Sequence, residues 1–346
     1  MHTFDYSFLK DPAVTSAFAT RLDRIEGFRS KVERFVINNP GTAGDMAKLS
    51  RIVSTKESNS LEGISTDDSR LVGLLISGLK PAASDEYELI GYSYALDRVH
   101  DHHDVMGVDE DAIKSLYSVM VSYSGDIGGY KKKNNEIVDR DENGKVVRKH
   151  KVVPASQVDD CMSKLMEAFW KARDDPDVSD ILLLPCFILD FLRIHPFMYR
   201  NGRMSRLLTI LLMYQQGLDV CSYVPIEAII NNSKRDYYDA LERSSERWFD
   251  NKNDYLPFMD YMIGVIFLAY REFDRSTAPC IGRDMKENRL ERVITGLSLP
   301  ISKRELCSLM PDVSETYIEL LLNRLLKDGK IRKIGTRKAS RYVLAE

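Results

Sequence analysis

The chain has no Cys-x-x-Cys pair, and its five cysteines (Cys161, Cys186, Cys221, Cys280 and Cys307) are odd in number and widely spaced. That pattern argues against a disulfide framework, and Cys186 and Cys221, in apolar surroundings, read as reduced core residues of a cytosolic protein. An excess of one charge is also missing. The 49 Lys and Arg stand against 52 Asp and Glu, for a net charge of −3, which gives no global pull toward nucleic acid. No apolar run is long enough to span a bilayer: Ile181–Ile194 is short and contains Asp190 and Arg193, and Phe258–Tyr270 contains Asp260. Asp5, Lys10 and Asp11 precede any long apolar run, so no export signal is read. There is neither an internal repeat nor a low-complexity tract. The expectation is a cytoplasmic protein without a membrane partner.

What is there is mostly helical. Apolar residues recur at three- and four-residue spacing, as in Leu22/Ile25/Phe28/Val32 and Leu71/Leu74/Leu75/Leu79; 44% hydrophobic content supports a real core, and 346 residues suffice for one large domain plus a small one or for two to three units. Pro40-Gly41 and Pro81–Ser84 break the early helices. One segment differs. Between Gly128 and Pro154, Ile137-Val138, Asn143-Gly144, Val146-Val147 and Val152-Val153 predict a β-hairpin with its turn at Asn-Gly. A composition shift near Ser276–Asp284 sets off a C-terminal unit. Helices are predicted over 285–297, 302–310 and 314–328, the second opened by a Ser302–Glu305 capping box, with two short strands around Gly335. Three helices and a hairpin look like a winged helix-turn-helix. Its basic end (Lys330, Arg332, Lys333, Arg337, Lys338) suits phosphate, whereas Glu315 and Glu319 on the third helix, the one that would serve as recognition helix, oppose it, so DNA and protein are both open as partners. His100, His102 and His103 are read as a solvated helix end rather than a metal cluster.

The most telling stretch is His195-Pro-Phe-Met-Tyr-Arg-Asn-Gly-Arg203, with Arg206 three residues on. It joins two strongly apolar runs, so two buried helices should flank a short loop ending in Asn-Gly-Arg. Such a loop sets a histidine beside a helix N-terminus, whose free N–H groups and dipole attract phosphate. Arg203 and Arg206 share a helix face and can reach one anion. A base beside a phosphate cradle suggests nucleotidyl or phosphoryl transfer.

These residues resemble the signature of the Fic (filamentation induced by cAMP) family, His-Pro-Phe-x-(Asp/Glu)-Gly-Asn-(Gly/Lys)-Arg-x-x-Arg, in which His195, Pro196, Phe197, Asn201, Gly202, Arg203 and Arg206 match in register. Tyr199 stands at the acidic position and Arg200 at the glycine. The resemblance implies a mainly α Fic-type helical bundle with a β-hairpin flap and an appended winged helix, organised as 1–85 (helical, inhibitory), 86–276 (catalytic core) and 285–346 (winged helix). It implies a protein adenylyltransferase that moves AMP from ATP to a Ser, Thr or Tyr hydroxyl of a target protein, with the flap aligning the target segment, and makes a homodimer plausible. His195 would be the general base, with Asn201, Gly202, Arg203, Arg206 and Tyr238 the nucleotide site. Ser58, Glu62 and Gly63 match the family's inhibitory helix, (Ser/Thr)-x-x-x-Glu-(Gly/Asn), whose glutamate would pair with Arg206. Family members bind Mg²⁺ through the acidic residue, and a neutral phenol at Tyr199 is a poor ligand for a hard cation, so Mg²⁺ binding is expected to be weakened and no metal ligand is assigned. Arg200 either supplies part of the missing charge or blocks the cradle. The altered loop leaves two alternatives open: a nucleotide-sensing regulator that binds DNA through the winged helix, or an enzyme using another donor.

Overall fold

Residues 2–125, 128–140, 146–278, 286–336 and 339–345 are described in the computed structural model. Helix α1 (Pro12–Asn38) is capped by Asp11, whose carboxylate accepts from the Ala13 amide, with Pro12 at its first position. It stops where α2 (Pro40–Ser60) begins, because Pro40 has no N–H to donate back and its ring crowds the preceding turn. Then come α3 (Asp68–Ser77), α4 (Ser84–His102) and α5 (Glu110–Val121). The expected hairpin is β1 (Ile137–Arg140) antiparallel to β2 (Val146–His150), with a register irregularity between Asp139 and Arg140. Its Asn143-Gly144 turn lies outside the described residues, and Val152-Val153 lie beyond the second strand.

The helices α6 (Val158–Arg173), α7 (Asp180–Ile194) and α8 (Asn201–Gln215) follow, then α9 (Ile226–Asn232), α10 (Lys234–Ser245) and α11 (Leu256–Thr277). Helix α7 is buried on nearly every side, with Leu182 through Phe191 all inside, so its apolar character needs no amphipathic stripe. Each fully buried Leu, Ile or Phe there contributes about 1.5–3 kcal/mol of transfer free energy. The fold class is mainly α, as expected.

The described core divides into two clusters. The larger runs from Tyr6 to Phe273 and includes α7 and α8. The smaller joins α12 (Lys286–Leu297), α13 (Lys303–Leu309) and α14 (Glu315–Lys327) to Leu49 and Ile52 of α2, Leu71 and Val72 of α3 and Leu89 of α4. The C-terminal elements therefore complete a core with the N-terminal helices. Arg289 on α12 adds a two-oxygen pair with buried Asp45 of α2 and a second pair with Asp312. Ser302 and Glu305 form the predicted capping box. Strands β3 (Ile331–Ile334) and β4 (Arg341–Leu344) pair antiparallel, and Ile301 bridges to Tyr342 as a third edge. Among the described residues no helix is long and apolar enough to cross a membrane.

Candidate active site

Helix α7 ends at His195, which adopts a left-handed backbone (φ 54°) while its N–H still donates to the Phe191 carbonyl at 3.0 Å. That turn directs the chain into the loop 195–200. The amide of Asn201 closes the loop: its Oδ1 accepts from Phe197 N–H at 3.0 Å and its Nδ2 donates to the Phe197 carbonyl at 2.8 Å. Phe197 is buried and stacked on Tyr117, with centroids 3.8 Å apart. From the segment before the hairpin, Lys131 N–H donates to Pro196 O (2.8 Å) and Asn135 Nδ2 to Met198 O (3.0 Å). The loop expected to end in Asn-Gly-Arg is shorter than that, because Asn201 already opens α8 and Gly202 and Arg203 lie in its first turn.

His195 is held as a neutral imidazole. Burial, then the Lys131 and Arg193 cations, pull its pKa down to about 4. Its Nδ1 is buried, and the Leu192 carbonyl, which favours the protonated ring, only partly offsets that fall. Lys131 is buried too, its ammonium donating to Asn135 Oδ1 at 2.9 Å, and burial lowers its pKa to about 8.

Two arginines on one face of α8 meet the end of α2. Arg206 donates from Nε to Ser58 Oγ (2.7 Å) and from Nη2 to the Ser58 carbonyl and Glu62 Oε1 (2.8 Å each). Arg203 donates from Nη1 to Asn59 Oδ1 (2.8 Å) and from Nη2 to Glu88 Oε2 (2.8 Å), leaving its buried Nε without a partner. Ser58 and Asn59 lie inside α2; Glu62 follows in a turn that Gly63 closes in a left-handed conformation (φ 77°) and that Lys234 Nζ pins at Leu61 O (2.9 Å). Burial would raise the Glu62 carboxyl, but Arg206, Arg203 and Lys234 outweigh it and hold it below the ordinary range. A methyl group on Gly202 would stand 2.5 Å from Glu62 Oε1 and would push the carboxylate aside, so glycine lets it sit at the α8 N-terminus, where an anion is favoured.

A neutral imidazole at a loop, followed by two arginines and a helix N-terminus, is the arrangement the sequence signature required. The Fic/DOC family matches residues 107–213, which contain that loop. This segment is a Fic/DOC domain. The fold resembles a Fic family protein from Desulfovibrio desulfuricans G20 (TM-score 0.61, 19% identity, 95% of this chain and 96% of that one). It also resembles a Fic domain containing signaling protein from Bacteroides thetaiotaomicron VPI-5482 (TM-score 0.56, 19% identity, 72% and 94%). A third likeness is to a Fic-1 fragment from C. elegans (TM-score 0.54, 16% identity, 78% and 75%). At such identities the likeness is one of fold. No curated protein sequence matches the chain significantly. Fic/DOC family members usually transfer AMP or another nucleoside monophosphate to proteins.

At the departures from the Fic signature, Tyr199 is 61% exposed, and Arg200 has a left-handed backbone (φ 64°) at the N-cap of α8. Arg200 does not project freely. Its guanidinium forms a two-point pair with Glu88 of α4, the same carboxylate that holds Arg203. Both Glu88 oxygens are thus engaged, and burial, which alone would raise its pKa, is outweighed by the two arginines. Among the described residues no group of three His, Cys, Asp or Glu could hold a metal. The residues present do not fit a divalent cation bound in the manner the resemblance implied.

Tyr238 on α10 is partly exposed and packs edge-on against Tyr237, and its phenol is raised by burial and then by the Glu62 charge. Glu88, Asn59 and Lys131 went unread in the sequence. Asn59 lies inside the Ser58–Gly63 motif, directly after Ser58. Lys131 opens a Lys-Lys-Lys run that reads as solvated, and Glu88 lies 112 residues from Arg200 with no local signal. The solvated helix end holds for His102, which is exposed, but not for its neighbours: His100 is buried with Nδ1 2.5 Å from the Tyr214 hydroxyl, and His103 stacks on Tyr214 at 3.8 Å. Of the residues expected to touch DNA, Lys330 is paired with Glu291, Arg332 and Lys333 are exposed on β3, and Arg337 and Lys338 lie outside the described residues. The exposed face of α14 carries Tyr317, Glu319 and Leu320, with Lys303 drawn to Glu315 and Glu319.

Proposed function

We propose that the chain is a protein adenylyltransferase that moves AMP from ATP to a Ser, Thr or Tyr hydroxyl of a target protein and is held down by the end of α2. The observation that carries this reading is Arg206, gripped by Ser58 and Glu62 on the helix that follows the loop of a neutral His195. The target hydroxyl attacks the α-phosphorus, its proton passes to the imidazole, and the bond to pyrophosphate breaks. Negative charge gathers on the phosphate oxygens and is met by Arg203, Arg206 and the N-terminus of α8. With Glu62 on Arg206, that guanidinium is not available to phosphate. Asn201 keeps the loop in shape through Phe197.

The test is intact-mass spectrometry after incubation with ATP. Glu62→Gly is expected to gain the mass of AMP, on itself or on protein supplied from lysate, and the double variant with His195→Ala is not. The gain in rate over wild type should be about 10- to 100-fold, the factor matching a charge-assisted hydrogen bond of about 1.5–3 kcal/mol. No label on Glu62→Gly, while it still folds and binds nucleotide, removes this reading.

A further inference from the structure

A carboxylate with its bound divalent cation adds one net positive charge to a phosphate site. Arg200 alone adds the same. Four observations show that this arginine belongs to the site and is not an accident of the loop. Its backbone is left-handed at φ 64°, a conformation that glycine adopts without the steric cost arginine bears. Its side chain is only 7% exposed and bonded at two points to Glu88. Glu88, in turn, holds Arg203 Nη2, so the three side chains form a rigid unit of net charge +1 at the first turn of α8. Arg203 Nε, buried and without a partner, still has a hydrogen to give.

We propose that this cradle binds the polyphosphate of a nucleotide without a divalent cation, with Arg200, anchored by Glu88, carrying the charge that a metal would bring. Glu88 is a positioning residue: its carboxylate pairs with both guanidinium groups and offsets the mutual repulsion of holding them side by side. The acidic ligand is absent, and the net positive charge of a carboxylate with its cation is supplied covalently by the next residue in the chain. The inference rests on the loop being a nucleotide site and does not depend on AMP transfer.

Isothermal titration with ATP tests it, with Glu62→Gly as the parent so that Arg206 is free, in EDTA and in excess Mg²⁺. The parent is expected to bind with dissociation constants within about threefold of each other in the two buffers, a difference well below one decade of affinity. Arg200→Gly, which suits the left-handed backbone and so leaves the fold intact, should weaken binding in EDTA by about tenfold or more. Arg200→Gly combined with Tyr199→Asp should restore a dependence on Mg²⁺ of about tenfold or more. A parent whose affinity rises more than about threefold with Mg²⁺, an Arg200→Gly variant that binds as tightly in EDTA, or no ATP binding in either buffer would each overturn the proposal. AMP labelling that accompanies Mg²⁺-dependent binding leaves the proposed function and removes only this inference; metal-free binding without labelling does the reverse.

Discussion

At the residue scale the site is a set of charges whose partners are already present. Arg206 has Glu62, Arg200 and Arg203 share Glu88, and His195 has no charge to pair because burial keeps it neutral. The neutral imidazole is the form that accepts a proton. With its pKa near 4 rather than 6.5, His195 stays competent well into acid, so the initial rate of AMP transfer by Glu62→Gly should be level from pH 8 to about 5 and fall only toward pH 4. A pH–rate profile that loses half its amplitude near 6.5 would contradict this assignment. The histidine, both arginines and the glycine were legible because they are adjacent in sequence. Glu88 was not, because nothing local marks a carboxylate on one helix as the partner of arginines on another.

At the scale of elements, α2 is the part that connects. Its first half gives Asp45 to Arg289 of α12, its middle gives Leu49 and Ile52 to the second core, and its end gives Ser58 and Asn59, with Glu62 just beyond, to the arginines of α8. Removing Arg289 strands a buried carboxylate, since Asp45 and Arg289 side chains are 7% and 6% exposed. Breaking such a buried pair costs about 3–5 kcal/mol. Arg289→Ala is therefore expected to lower the melting temperature and speed amide hydrogen exchange along α2 from Asp45 toward Ser60. Exchange there that matches wild type would show that the two ends of α2 are not coupled through this pair. The hairpin and capping box could be read from local sequence, as both are set by neighbouring residues; the partners of α2 could not.

Over the whole molecule, the C-terminal unit is a structural partner of the N-terminal helices. A boundary at about 276–285 follows composition, but Leu49, Ile52, Leu71, Val72 and Leu89 cross it to share a core with Leu290, Val293, Ile294 and Leu306. Ending the chain after α11 would expose those five side chains, each worth about 1.5–3 kcal/mol when buried. Such a fragment should melt below the intact protein and bind a hydrophobic dye, whereas the intact chain should unfold in one transition because the two cores share α2. A fragment as stable as the whole chain would mean that the interface contributes little.

The sequence by itself determined the helical class, the hairpin, the capping box and the residues of the His195–Arg206 signature, though not where its loop ends. These depend on periodicity, turn chemistry and residues within a few positions of each other, and such interactions are encoded where they occur. Only the tertiary structure decided that Arg200 is tied to Glu88, that Lys131 is buried beside the loop, that the α4 histidines pack on Tyr214, and that α2 lies between the arginines and the C-terminal core. Each of those depends on which helix faces which across tens or hundreds of residues, and a charge acquires its partner and its pKa only when the chain has closed around it.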